Sequence, residues 1–353
     1  MEKQSLLARL PEALLPWYGE NHRQLPWRQD KDPYHIWVSE IMLQQTRVEA
    51  VRGYYTRFLE TLPTVAALAE CDDELLHKLW EGLGYYSRVR NLKKAAQQIM
   101  TLHKGQFPQT HKEILALPGV GEYTAGAICS IAFNMPTPAV DGNVLRVIAR
   151  ITDDDTPVDL PQYKKTVQQN LQAIYPAQAG DFTQALMELG ATVCGPNRRP
   201  DCENCPCKTF CLGQGRAEQL PVKLPKAARK VEEKTVFVLS CDGEYALRKR
   251  PDKGLLADLW EFPNVPGKLN ATAALEQVEK FGLKPKEITM QVERKHIFTH
   301  IEWDMCGIYI EVANRGGAFT WLSLAEIGAG AALPTAFHQF VPVDFFVKTE
   351  NNV

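Results

Sequence analysis

The chain has 353 residues, 45% hydrophobic and 23% charged, which is enough apolar material for a core and, at roughly 150 residues per domain, for two domains or three. A formal net charge of -2 excludes a globally basic nucleic-acid binder, so any such function must rest on local chemistry. No apolar run approaches the ~18 residues of a membrane span, and the N-terminal MEKQSLLARLPEALLPWYGE is broken by charge and proline where a secretion signal would be apolar; a cytoplasmic protein is expected.

Residues 1–215 read as helical, with the helical period plain over 34–60, 72–81, 91–102 and 162–174 and turns of Gly and Pro between. In YHIWVSEIMLQQTRV (34–48), Trp37, Ile41 and Val48 share an apolar stripe, with Glu40 and Gln44 together beside it. Glu40 lies among Trp, Val, Ile, Met and Leu. It is either a carboxyl kept protonated near neutrality by that environment or an ordinary member of a solvated helix face. Gln44 and Gln45 are surface filler, or they insert into a duplex and fill the space left by an extruded base. The stretch Trp80 to Arg90 combines aromatics, glycines and two arginines, Arg88 among them, which suits base stacking and phosphate contact and equally suits a packed turn between helices.

In LALPGVGEYTAGA (115–127), Leu117-Pro118-Gly119-Val120-Gly121 joins two short helices. Glycines let the backbone approach a partner closely, and the following helix start offers free N–H groups. Together they bind phosphate without net positive charge, although a tight helix connection has the same pattern. Asp141 follows at a helix start, where a carboxylate is commonly a cap.

Five of the nine cysteines crowd into Cys194-x7-Cys202-x2-Cys205-x5-Cys211, with Cys207 inside the last interval. An odd total without a secretion signal argues against a disulfide framework. Four thiolates in one loop ligate zinc or hold a cubane iron–sulfur cluster, and Cys207 is either a spare or a replacement for a neighbour. Residues 219–233 mix proline and charge as a linker does. After them TVFVLS (235–240) and EYALRKR (244–250) flank Asp242-Gly243, a hairpin signal; 271–281 reads as a helix and 305–312 as a strand, so the C-terminal third is a separate α+β domain. The chain has no internal repeat and no low-complexity tract.

LPGVG, a downstream Asp and a four-cysteine cluster resemble the helix-hairpin-helix DNA glycosylases of the endonuclease III type over residues 10–215. Within that superfamily SEIMLQQTRV (39–48), GLGYYSRVRNL (82–92), Tyr123 and a further domain carrying Ile297-Phe298-Thr299-His300 are similar to the adenine DNA glycosylase (MutY) family. The resemblance implies a multidomain fold. An all-α catalytic region, 1–218, would hold a hairpin module of about 29–135 and a cluster module built from 1–28 and 136–218. A linker, 219–233, and a MutT/Nudix-like α+β domain, 234–353, would follow.

The same resemblance implies a monofunctional glycosylase of base excision repair. It would flip adenine from a duplex in which the partner base is 8-oxoguanine or guanine. Glu40 matches the general acid that protonates the purine and then serves as base for water. Asp141 matches the carboxylate that stabilises the oxocarbenium ion by charge or by transient covalent capture. Tyr123 and Asn143 match residues that hydrogen-bond this centre and orient Asp141, while Gln45 and Tyr85 match residues that wedge beside the opposing base. Leu117, Gly119, Gly121 and Arg88 fall to DNA binding. Where bifunctional relatives carry a Schiff-base lysine, this chain has Tyr123, which has no amine, so no efficient strand cleavage is expected. Cys194, Cys202, Cys205 and Cys211 match the ligands of a [4Fe-4S] cluster, with seven residues in the first interval where the family usually has six; the cluster would hold a basic loop, Arg198 and Arg199, against DNA. Residues 271–283 lack the glutamate array of a Nudix box, which makes pyrophosphate hydrolysis improbable. The family's Phe-Ser-His loop for 8-oxoguanine is here Phe298-Thr299-His300. The expected protein is a monomer, nucleoid-associated, with no membrane partner. Two rivals are an endonuclease III-like enzyme for oxidised pyrimidines, opposed by Tyr123 and the C-terminal domain, and a non-catalytic mismatch-binding protein.

Overall fold

A computed structural model describes residues 3–196, 199–225, 228–316 and 318–342. Its N-terminal part is helical as expected: α1 (Lys3–Leu7), α2 (Leu10–Asn21), α3 (Pro33–Leu43), α4 (Val48–Thr61), α5 (Val65–Glu70), α6 (Asp73–Trp80), α7 (Ser87–Leu102), α8 (His111–Leu115), α9 (Glu122–Phe133), α10 (Gly142–Ile151), α11 (Pro161–Gln172) and α12 (Ala179–Glu188). The periodic run 34–60 is two helices, because Gln45 takes a left-handed φ of 58° that no continuous helix accommodates. Helix α3 starts where Asp32 accepts a hydrogen bond from the Tyr34 N–H at 2.8 Å and Pro33 supplies a first residue with no N–H to satisfy.

The described residues divide into two compact units. One lies within Met1–Cys71 and Arg90–Pro225, the other within Asp72–Val89 and Lys226–Val353. In the first, α12 packs on both α2 and α9, and α9 packs on α3. A core made by Leu6, Leu10, Leu14, Val147, Ile148, Leu171 and Phe182 joins α1, α2, α10, α11 and α12 and takes in Cys207 and Phe210. Helix α10 is buried from Val144 to Ile151, which leaves only its first residues to face anything outside the core.

The second unit carries β1 (Lys230–Cys241), β2 (Glu244–Lys249), β3 (Trp260–Glu261), β4 (Asn264–Pro266), α13 (Ala271–Lys280), β5 (Pro285–Ile297), β6 (Ile301–Val312), β7 (Thr320–Ser323), α14 (Leu324–Ala329) and α15 (Thr335–His338). Strand β1 begins at Lys230, inside the charged stretch read as linker. The sheet order is β3-β2-β1-β6-β5, with β4 on β1 and β7 on β2; β1 and β6 run parallel from Lys230↔Ile301 to Ser240↔Glu311. The β1–β2 hairpin turns on Asp242 (φ 50°) and Gly243 (φ 79°), as the Asp-Gly signal predicts. Residues 235–241 lack polar alternation because both faces are covered. Val236 and Val238 pack with Phe337 and Phe340 in one core; Phe237 and Leu239 pack with Ala274 and Val278 of α13 in the other.

Candidate active site

An open cleft of about 710 Å³ in the first unit is lined by Glu40, Tyr123, Asp141 and Asn143, together with Gln44, Gln45 and Met187. Four residues 103 positions apart in sequence at their extremes thus meet on one surface, supplied by α3, α9 and the start of α10. Glu40 is 5% exposed. Burial pushes its carboxyl up to about 7, the Asp141 charge adds to the rise, and a hydrogen bond from Tyr123 opposes it. That bond is short: Tyr123 Oη donates to Glu40 Oε2 at 2.6 Å. Burial and the neighbouring carboxylates hold the Tyr123 phenol well above its ordinary value, so it stays a donor.

Asp141 is both the cap and the cleft carboxylate, the two possibilities its sequence context left open. Its Oδ1 accepts from the Val144 N–H at 2.8 Å, and its Oδ2 accepts from Asn143 Nδ2 at 2.7 Å. Burial raises its carboxyl above the usual value, against the pull of those two donors. Asn143 is fixed in turn, because its Oδ1 accepts from Arg146 Nη2 at 2.9 Å while the same nitrogen donates to the Gly190 carbonyl at 2.9 Å.

A further cleft element was not read from the sequence. Glu188, fully buried at the end of α12, accepts from Arg23 Nε at 2.7 Å and from Arg28 Nη2 at 2.9 Å. Burial alone would raise the Glu188 carboxyl, but the hydrogen bonds from Arg23 and Arg28 outweigh it and bring it down to about 2. These partners are about 160 positions apart, and no local pattern announces the pairing.

The Leu117–Gly121 turn connects α8 to α9 as expected. Gly119 has φ 77°, and a Cβ there would lie 2.7 Å from Asn91 Cβ, so only glycine fits. Leu117 is a core residue, 2% exposed, which confines any part in DNA contact to its backbone. Gly121 caps α9 without a side chain, leaving the first N–H groups of that helix uncapped by it. Gln45 is exposed at its left-handed break.

In the second unit, Tyr85 repeats that pattern, with φ 48° and 45% exposure. Arg88 Nη2 donates to the Leu83 and Gly84 carbonyls at 3.0 Å each, and the guanidinium lies 5.3 Å from the Trp80 ring and 5.5 Å from the Tyr85 ring. It is a strut of the loop that presents Tyr85. Burial lowers its guanidinium to about 10. Phe298, Thr299 and His300 form the β5–β6 turn, closed by the Phe298 N–H donating to the Ile301 carbonyl at 2.8 Å. Phe298 packs edge-on to Trp303 at 4.8 Å, His300 is exposed, and Thr299 Oγ1 lies 3.2 Å from Tyr85 Oη. In the same unit Glu81 Oε1, just past α6, accepts from the Leu333 N–H between α14 and α15 at 2.9 Å.

The cysteines return to the first unit. Cys194, Cys202, Cys205 and Cys211 are half-buried and, with Cys207, surround a cavity of about 20 Å³. Arg150 Nη1 donates to Cys194 Sγ at 3.2 Å and to the Cys194 carbonyl at 3.0 Å, a cation placed to favour thiolate. Among the described residues no three His, Cys, Asp or Glu side chains converge where one metal ion would sit. A cubane makes no such demand, since each thiolate binds its own iron. Of the basic loop, Arg198 lies outside the described residues, and Arg199 is exposed, 3.9 Å from Glu218.

A hairpin presented by α8 and α9, beside a cleft with a buried carboxyl on α3 and a half-buried one at the start of α10, defines a helix-hairpin-helix base-excision glycosylase. The family model of the HhH-GPD superfamily base excision DNA repair proteins matches residues 38–176, and that of the NUDIX domain matches 235–342. The chain resembles a thermostable thymine-DNA glycosylase (28% identity, TM-score 0.54, 61% of this chain and 98% of that one) and, in fold, endonuclease III bound non-covalently to DNA (23%, TM-score 0.52, 62% and 99%). The chain is 37% identical to the adenine DNA glycosylase of Rattus norvegicus, over 92% of its length and 76% of that protein, and 36% identical to that of Homo sapiens, over 93% and 72%. The adenine DNA glycosylase of Buchnera aphidicola subsp. Baizongia pistaciae is 33% identical over 88% of both chains. The chain belongs to the adenine DNA glycosylase family, enzymes of DNA base excision repair.

Proposed function

We propose that the chain hydrolyses the N-glycosidic bond of adenine paired with 8-oxoguanine or guanine in duplex DNA, and that it does so without strand cleavage. The observation that carries this reading is the Glu40–Tyr123 pair on the same cleft as Asp141. A carboxyl lifted to about 7 is partly protonated at neutral pH and has a proton to give, while the second carboxyl is held by two donors beside it.

With adenine flipped into the cleft, Glu40 protonates the purine and makes it a better leaving group. Asp141, held by the Val144 N–H and by Asn143, faces the sugar and stabilises the oxocarbenium ion by charge or by transient covalent capture. Tyr123 keeps Glu40 in place, and after the base departs Glu40 takes a proton from the attacking water. Tyr123 offers no amine to the sugar, which supports hydrolysis alone over a coupled lyase and opposes the oxidised-pyrimidine reading. The two cleft carboxyls oppose a purely binding role.

Gln45 and Tyr85, each exposed on a left-handed residue, are suited to enter a base stack, and Leu117–Gly121 with the α9 start to hold phosphate. Phe298, Thr299 and His300 would read 8-oxoguanine, with the Thr299 hydroxyl replacing the family's serine. Cys194, Cys202, Cys205 and Cys211 would hold a [4Fe-4S] cluster, which supplies cross-linking of the 194–211 loop to the core. Residues 1–218 are then the catalytic region and 234–353 the recognition domain, although 72–89 groups with the latter. No described helix is long and apolar enough to cross a membrane. A nucleoid-associated monomer fits this reading.

The test is single-turnover reaction of a duplex with adenine opposite 8-oxoguanine, with and without later alkali. Scission only after alkali is the expected result. Scission without alkali would overturn the monofunctional assignment, and absence of base release would leave only mismatch binding.

A further inference from the structure

We propose that Cys207 is a reserve ligand of the cysteine site, able to take the place of Cys205; this rests on the iron–sulfur reading above. Five thiols line a single small cavity formed by α10, the end of α12 and the 200–211 loop, where a cubane needs four. The four of family spacing are half-buried, whereas Cys207 is fully buried and belongs to the core that includes Val147, Ile148 and Leu189. A buried thiol also serves packing as a small hydrophobe, so what marks Cys207 is its place on the same cavity as the other four.

Cys205 and Cys207 stand two residues apart on one turn, and both line that cavity. That turn is held at both ends: the Cys205 N–H donates toward the Cys202 carbonyl at 3.4 Å, and the Cys211 N–H donates to the Cys207 carbonyl at 3.0 Å. Exchange therefore needs a local shift within 205–207 and leaves Cys202 and Cys211 where they are. The balance is simple. The Cys207 thiol gives up its proton as it binds and the departing Cys205 sulfur takes one up, one iron–sulfur bond forms as one breaks, and neither charge nor oxidation level changes.

The experiment compares the full chain with the variants C205S, C207S, C205S/C207S and, as a control without a neighbouring spare thiol, C194S. Iron and acid-labile sulfide are measured per chain together with the visible sulfur-to-iron absorption. Wild type and C207S are expected to be fully loaded, C205S to keep most of the iron and absorption, and the double variant and C194S to lose them. C205S as empty as C194S, or a double variant as loaded as C205S, would overturn the proposal. Wild type without iron and sulfide would overturn the cluster reading itself, a different result. Should C205S fail to fold, the rate of bleaching of wild type and C207S by an iron chelator still decides: C207S should bleach severalfold faster, and equal rates would refute recapture by Cys207.

Discussion

Replacing Asp141 by Asn removes one negative charge and little else. Asn caps a helix about as well as Asp, so its side-chain oxygen can still accept from the Val144 N–H, and α10 should keep its start. The new amide would face Asn143 Nδ2, now a donor at 2.7 Å, and Asn143 cannot easily turn its oxygen inward because Arg146 holds that oxygen at 2.9 Å. One hydrogen bond left unmade in a partly buried site costs about 1–3 kcal/mol of stability. The catalytic loss is larger. A carboxylate about 4 Å from a developing unit cation, at an effective dielectric near 20, stabilises it by about 4 kcal/mol. At about 1.4 kcal/mol per tenfold, base release should slow about a thousandfold. The assay is single-turnover adenine release at saturating enzyme, with duplex affinity measured in parallel by anisotropy and expected to stay within a few-fold of wild type. Base release by D141N within tenfold of wild type would refute the role given to Asp141.

Burial lifts Glu40 to about 7, so base release should fall as pH rises through that value, and a flat profile from about pH 6 to about pH 8 would count against Glu40 as the acid. The same shift is a stability statement. The unfolded chain ionises Glu40 first, so the folded state loses stability as pH climbs from about 4.5 to about 7; Glu40→Gln should then melt higher than wild type at alkaline pH by the equivalent of about 3 kcal/mol, with the gain vanishing in acid. Tyr123→Phe removes the donor that stabilises the Glu40 anion, and the alkaline limb of the rate profile should move to higher pH; a shift to lower pH would contradict the 2.6 Å bond as drawn. Thr299→Val keeps the branch and removes the hydroxyl, so it should cost about 1 kcal/mol, or about fivefold, in the preference for 8-oxoguanine over guanine opposite adenine. An unchanged preference in competition assays would exclude the hydroxyl as a reader.

The helical N-terminal part, the β1–β2 hairpin and the α13 helix were legible in the sequence, because each is written in a local signal, a 3.6-residue period or Asp242-Gly243, whereas Tyr123 and Asn143 were reached only through the family resemblance. Local signals could not separate a buried acid from a solvated one at Glu40, nor a cap from a cleft carboxylate at Asp141. Those alternatives differ only in what lies across the cleft, and Tyr123 and Asn143 settle them through contacts made in the fold. At Arg88, likewise, an arginine beside aromatics has the same sequence whether or not it folds back onto the Leu83 and Gly84 carbonyls, and only the fold shows that contact. The Arg23–Glu188–Arg28 triad lay wholly beyond the sequence. Its ion pairs span about 160 positions, and only the packing of α12 against α2 brings a buried carboxylate to the two guanidiniums that keep it ionised.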